Sequence, residues 1–172
     1  SQNTQMTMYQ QGVLAMNNWI RDSLATGKPY DQMARELIAV QGTDSYQVGQ
    51  INWLVGGSMG GGPCQGHVDA RTARVGQHLL GMAHINCIGC HDGAGHLDAL
   101  SLWGKDAKRT QFWQLASFLS RTEAYATNIT IGTSTQQYWG LREAPTPGVN
   151  NNYLQDYRLN TTTGNRPARQ PA

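Results

Sequence analysis

The chain has 172 residues, of which 13 are Lys or Arg and 11 are Asp or Glu, for a formal net charge of +2. That length gives one domain, or one domain with a tail, with enough chain for a core, and a charge this small does not draw nucleic acid or an anionic membrane. No run approaches the ~18 apolar residues of a membrane span, and charged residues, at 14% against about 25% in an average soluble protein, suit a secreted protein or one whose surface is covered by partners.

The first predicted helix covers residues 6–26. Val13, Met16, Ile20 and Leu24 share one face, with Trp19 beside it, and the expected use of that stripe is core packing. Gly27 stops the helix and Pro29 opens a second, in which Tyr30, Met33, Ala34, Leu37 and Ile38 form the apolar stripe. From Gly42 to Pro63 the pattern breaks. Ile51, Trp53, Leu54 and Val55 are apolar, but Gly56-Gly57, Gly60-Gly61-Gly62 and Pro63 predict a loop. Its first expected use is as a covering loop with no ligand; the alternative is a wrap around a bound cofactor, with Trp53 or Met59 shielding its edge. Cys64 is the odd cysteine, a free thiol or an intermolecular disulfide partner.

A third helix is predicted over 69–83, with Val75, Leu79, Leu80 and Met82 on its buried side, leading straight into Cys87. Gly93-Ala94-Gly95 reads as flexible, and a short helix is expected from His96 to Gly104. Phe112, Leu115, Ala116 and Leu119 recur at i, i+3, i+4 and i+7 and mark a fourth long helix. After Thr122 the character changes. Thr127–Ile131 alternates as a short strand, the Asn- and Pro-rich stretch that follows is loop, and residues 164–172 form an extended tail. The expected architecture is mainly α: about four helices in a domain over 1–122, an irregular extension with minor strand over 123–163, and the tail.

Cys87-Ile88-Gly89-Cys90-His91 reads C-x-x-C-H, the attachment signal for haem c. Each thiol adds to one vinyl group of the porphyrin, and the adjacent histidine lies beneath the iron as proximal ligand. Alternatives stand beside this reading. A redox dithiol wants a βαβ setting, and none surrounds the motif. A zinc ribbon wants a second C-x-x-C, and Cys87, Cys90, His91 and His96 make a poor chelate because His91 directly follows Cys90.

No methionine follows His91, which excludes a downstream methionine as distal ligand. His96 is the first candidate for that position, with His78, His84 and Met82 as alternatives; His67, Met59 and an open or partner-supplied position complete the set. Asp92 and Asp98 read as a helix cap or solvated pair.

The helix KPYDQMARELIAVQG, the glycine-rich loop, the segment VGQHLLGMAHINCIGCHDGAGHLDALSLWGK, a tryptophan-bearing helix and RLNTTTGNRP follow in that order. Together they resemble the planctomycete-type cytochrome-c-like domain of unknown function, in a form similar to acidobacterial members, from about Trp19 to Pro167. The resemblance implies an exported bacterial protein, and a longer chain with a second domain in most members. It also implies a histidine two residues after the haem histidine; with three residues inserted here, His96 corresponds.

The reading that follows is an exported, periplasmic or extracellular, mono-haem c-type cytochrome. It transfers electrons to redox partner proteins and sits within a larger homo- or hetero-assembly, without nucleic acid and without a transmembrane segment. A haem enzyme or sensor with an open iron site, and an accessory binding module with structural haem, are the alternatives.

Overall fold

A computed structural model describes residues 2–56, 64–131 and 133–145. Six α-helices, one 3-10 turn and a two-stranded sheet lie among them: α1 (Gln2–Ala25), α2 (Tyr30–Ala39), α3 (Ile51–Val55), α4 (Cys64–Leu79), α5 (Ile85–Ile88), the 3-10 turn Gly104–Asp106, α6 (Arg109–Ser117), β1 (Thr122–Ile131) and β2 (Ser134–Glu143). The helical class is as expected, with more and shorter helices and a longer hairpin than the sequence suggested.

The chain divides into two compact units, Ser1–Gly56 with Glu123–Glu143, and Gly57–Thr122 with Ala144–Ala172. The described strands of Glu123–Glu143 belong to the first unit, with the N-terminal helices. The expected extended segment and tail beyond Pro145 lie outside the described residues, as does Met59.

In the first unit α3 is the pivot. The glycine-rich stretch predicted as loop carries a helical turn because Ile51, Leu54 and Val55 bury together with Leu141 of β2. Burial of this apolar set outweighs the local glycine penalty. The hairpin is tied to the helices by polar bonds as well. Gly42 and Leu141 exchange backbone hydrogen bonds of 2.9 and 2.7 Å, the Tyr46 hydroxyl donates to the Gln137 carbonyl at 2.8 Å, and Trp139 N–H donates to Ser45 Oγ at 3.1 Å. The Tyr125 ring occupies the space a side chain at Gly140 would need.

The expected stripe on α1 is corrected. Val13 (53% exposed), Ile20 and Leu24 face solvent. The helix turns Gly12 and Ser23 inward instead, Gly12 against Asn52 of α3. A close approach between helices needs small residues, and that requirement has overridden the apolar periodicity. In the neighbouring α2, Leu37 is buried while Tyr30 and Ile38 are exposed. Glu36 of α2 accepts from Lys28 at 2.7 Å, Trp19 at 3.1 Å and Gln32 at 3.1 Å. The Lys28 bond, with help from the other two, holds its carboxyl below the usual range against partial desolvation.

The second unit packs α4, α5 and α6 around Ile85, Ile88, Leu97, Phe112 and Trp113. Arg71 of α4 is buried and donates from Nη1 to the Thr122 carbonyl at 2.7 Å. The expected helix from His96 to Gly104 is instead a run of turns ending in the 3-10 turn. The third helix stops at Leu79, four residues earlier than expected.

Candidate functional site

The path into the motif is a tight reversal rather than a continuous helix. After α4 the chain passes Gly81 at φ +66° and His84 at φ +65°, both left-handed, a conformation that favours glycine and costs a β-carbon-bearing residue energy. Ile85 then packs where a side chain at Gly76 would stand, so that α5 lies close on α4.

α5 carries one helical turn through the motif. Cys90 N–H bonds to the Cys87 carbonyl at 3.0 Å and His91 N–H to the same oxygen at 3.3 Å. Gly89, at φ −60° and ψ −26°, keeps the helical sense. The two residues between the cysteines face the core. Ile88 is 1% exposed, and the space beside the Gly89 α-carbon is bounded by the Phe112 ring at 3.2 Å. The turn therefore presents Cys87, half-buried, and Cys90, exposed, as free thiols, with His91 half-buried beside them.

His91 Nδ1 lies 2.9 Å from the Asp92 carbonyl. A carbonyl only accepts, so this bond places the proton of the neutral ring on Nδ1 and leaves Nε2 with its lone pair. A bond of this kind to the other ring nitrogen is what fixes the tautomer of a ligating histidine. Two thiols on one turn and an imidazole with Nε2 available are the donor set a covalent haem needs. Among the described residues no group of three or more His, Cys, Asp or Glu is placed to hold a metal ion, so the Cys87, Cys90, His91 and His96 cage is not assembled.

The candidates for a distal ligand are dispersed. The His96 ring stacks on His91, with centroids 4.0 Å apart and planes inclined by 32°. Met82 is half-buried against the Ile85–Ile88 cluster. His78, in the last turn of α4, and His84 are exposed. His67 lies half-buried on α4, and Trp53, expected as a haem shield, packs in the Ile51 cluster of the first unit. The Cys64 side chain lies outside the described set.

The approach to His96 is anchored rather than flexible. Gly93 is buried and donates its N–H to the Ala107 carbonyl at 3.0 Å, and a β-carbon there would run into the Gly104 carbonyl. Asp92 is committed to structure. Its Oδ1 accepts from Arg109 N–H at 2.9 Å, at the start of α6, and its Oδ2 lies 3.3 Å from Lys108 Nζ. The Arg109 backbone bond, with Lys108 assisting, holds its carboxyl below the usual carboxylate range. Asp98 Oδ1 accepts from Gly95 N–H at 3.0 Å. The cap reading stands for Asp92, which caps a helix 17 residues away, a partner that no local pattern announces; Asp98 closes a turn and caps no helix.

On the Ile85 and Ile88 side of the α5 turn lies a cavity of about 440 Å³, open to solvent on one side, and Met82, Trp103, Phe112 and Leu115 complete its apolar wall. Neither cysteine nor His91 lines it. No local pattern announces this space, because its walls come from separate segments of the chain.

The PSCyt2 family model, described as a protein of unknown function (DUF1549), matches residues 1–124. No curated protein and no solved structure matches.

Proposed function

The chain belongs to the PSCyt2 family of unknown function, and from that premise we propose that it is an exported mono-haem c-type cytochrome. Cys87 and Cys90 form the thioethers and His91 is the proximal ligand. When bound, haem c supplies a centre that takes up and releases one electron. The observation that carries the reading is the α5 turn, which places two free thiols side by side, Cys87 half-buried against the core and Cys90 exposed, with His91 oriented through Nδ1 by the Asp92 carbonyl. The core-facing Ile88 and Gly89 hold that turn in place, so the three attachment atoms keep their relative positions.

Electron transfer is favoured over an open-site enzyme because the nearby carboxylates are engaged by backbone N–H groups, Asp92 at the start of α6 and Asp98 in the turn at Gly95. A general acid or base needs a carboxylate free to reach the reacting atom. His96, stacked beside His91, is the first candidate distal ligand and must turn away from that stack to reach the opposite face; Met82, His78 and His84 are the alternatives. Membership of a larger redox assembly is supported by apolar side chains left in solvent in the same unit, with Leu102 at 93% and Phe118 at 69% exposure. Attachment of haem to C-x-x-C-H takes place outside the cytoplasm, which supports a periplasmic or extracellular location. No helix among the described residues is long and apolar enough to cross a membrane.

The test is an absorption spectrum of protein made in a host that attaches haem c, oxidised, then reduced with dithionite, then exposed to carbon monoxide. A sharp reduced α band that carbon monoxide leaves unchanged is expected. A carbon monoxide shift moves the function to ligand chemistry, and absence of a haem band overturns the assignment. Loss of the low-spin spectrum in His96→Ala, with the band of His78→Ala retained, identifies the distal residue.

A further inference from the structure

The cavity beside α5 has features of a ligand site, and neither Cys87, Cys90 nor His91 lines it. Its volume, about 440 Å³, falls within the usual range for small-molecule pockets, roughly 300–1,000 Å³. The wall is apolar, and Trp103 and Phe112 contribute flat aromatic surface. Such a wall takes up a ring, because apolar area leaves water at little cost to the protein.

The polar lining limits the chemistry further. It consists of Asp106, Lys108 and Gln111. Lys108 Nζ is 3.3 Å from Asp92 Oδ2, so its charge is already compensated, while Asp106 adds a carboxylate that disfavours an anion. A fatty acid or other carboxylate therefore gains little there, and the largely apolar wall offers a cation little compensation for its lost hydration. A neutral ligand meets neither penalty. Gln111 Oε1 accepts from Lys108 N–H at 2.7 Å, so the part of this side chain offered to a ligand is its NH2 donor. That donor requires an acceptor.

We infer that this cavity binds an uncharged, planar, apolar ring bearing a carbonyl acceptor, a molecule of the quinone class, with Gln111 as the hydrogen-bond donor. The site is formed by side chains other than Cys87, Cys90 and His91, and the inference does not rest on the haem assignment.

The experiment is equilibrium dialysis of the full chain against 2,3-dimethyl-1,4-naphthoquinone, whose substituted ring resists addition of thiols, with naphthalene as the carbonyl-free comparison. The quinone binds more tightly than naphthalene. Gln111→Glu keeps the acceptor for Lys108 N–H and removes the NH2 donor; it weakens quinone binding about tenfold, the value of one hydrogen bond, and leaves naphthalene binding unchanged. Ala107→Trp, verified as folded by circular dichroism, fills the space and removes binding of both. No quinone binding, equal affinity for the two probes, or an unaltered quinone affinity in Gln111→Glu overturns the inference. Each result is read without a haem signal, so it succeeds or fails separately from the cytochrome reading.

Discussion

Truncation of Ile88 to alanine tests whether the residues between the two cysteines fasten the attachment turn to the core. Ile88 is 1% exposed and packs with Ile85, Leu97, Phe112 and Trp113. Ile88→Ala removes three carbon atoms, worth about 2.4 kcal/mol at roughly 0.8 kcal/mol per methylene. A sealed core would add a term for the void, ~24 cal/mol per Å³. Ile88 already borders the 440 Å³ cavity open to solvent, so the new space joins it and most of that term is absent. The expected loss is about 2–3 kcal/mol. Ile51, fully buried among Leu54, Val55 and Leu141, has no such relief, and Ile51→Ala is expected to cost about 3–4 kcal/mol. The assay is hydrogen exchange read by mass spectrometry across a urea series, which assigns the lost protection to particular helices even where the two units unfold separately. A loss under about 1 kcal/mol, or deprotection confined to α1–α3 in the Ile88 variant, refutes the reasoning.

Three further outcomes are expected. Asp92→Ala removes the acceptor for Arg109 N–H and costs about 1 kcal/mol, the usual value of a lost helix cap. Because the folded-state pKa of Asp92 lies below its ordinary value, its contribution is present above the unfolded pKa and is lost as pH falls through the folded one; a pH series of thermal melts in which wild type and variant converge in acid checks this. Gly93→Ala drives a β-carbon into the Gly104 carbonyl and is expected to cost over ~3 kcal/mol, seen as a lower melting temperature or loss of soluble protein, whereas Gly95→Ala, with open space around it but φ +79°, costs only about 1 kcal/mol. Ser45→Ala leaves Trp139 N–H without its 3.1 Å acceptor and lowers stability by about 1–2 kcal/mol in urea titration.

Much of this was legible where local rules and tertiary packing agree. Gly27 and Pro29 bracket the gap between α1 and α2 because one takes φ +65° and the other suits a first turn. Leu37, Phe112 and Ala116 fall on their predicted buried faces. The motif itself was legible because thiol spacing is a short-range property. Other features depended on partners distant in the sequence. Ile51–Val55 is helical because Leu141, some 90 residues on, covers it. Val13 and Leu24 are exposed because small residues, rather than the apolar stripe, make the close approach of α1. The hairpin was half visible: Thr127–Ile131 alternates, but β2 mixes Gln, Tyr, Trp and Gly, and its pairing comes from β1 and Gly42. The cap supplied by Asp92 lay beyond any local window.

The discontinuity of the first unit sets an order on its completion during synthesis. Residues 1–56 leave the ribosome with Ile51, Leu54 and Val55 lacking their cover, and Leu141 follows only after residues 57–122, the first segment of the second unit, have been made. Closing so long a loop before its contacts form is slow, and the uncovered apolar set is open to aggregation in the interval. The segment bearing Cys87, Cys90 and His91 emerges within that interval. A chain ending at residue 124, where the family match ends, would keep α1, α2 and α3 but lose β2, leaving a surface for chaperones or proteases in place of a finished core.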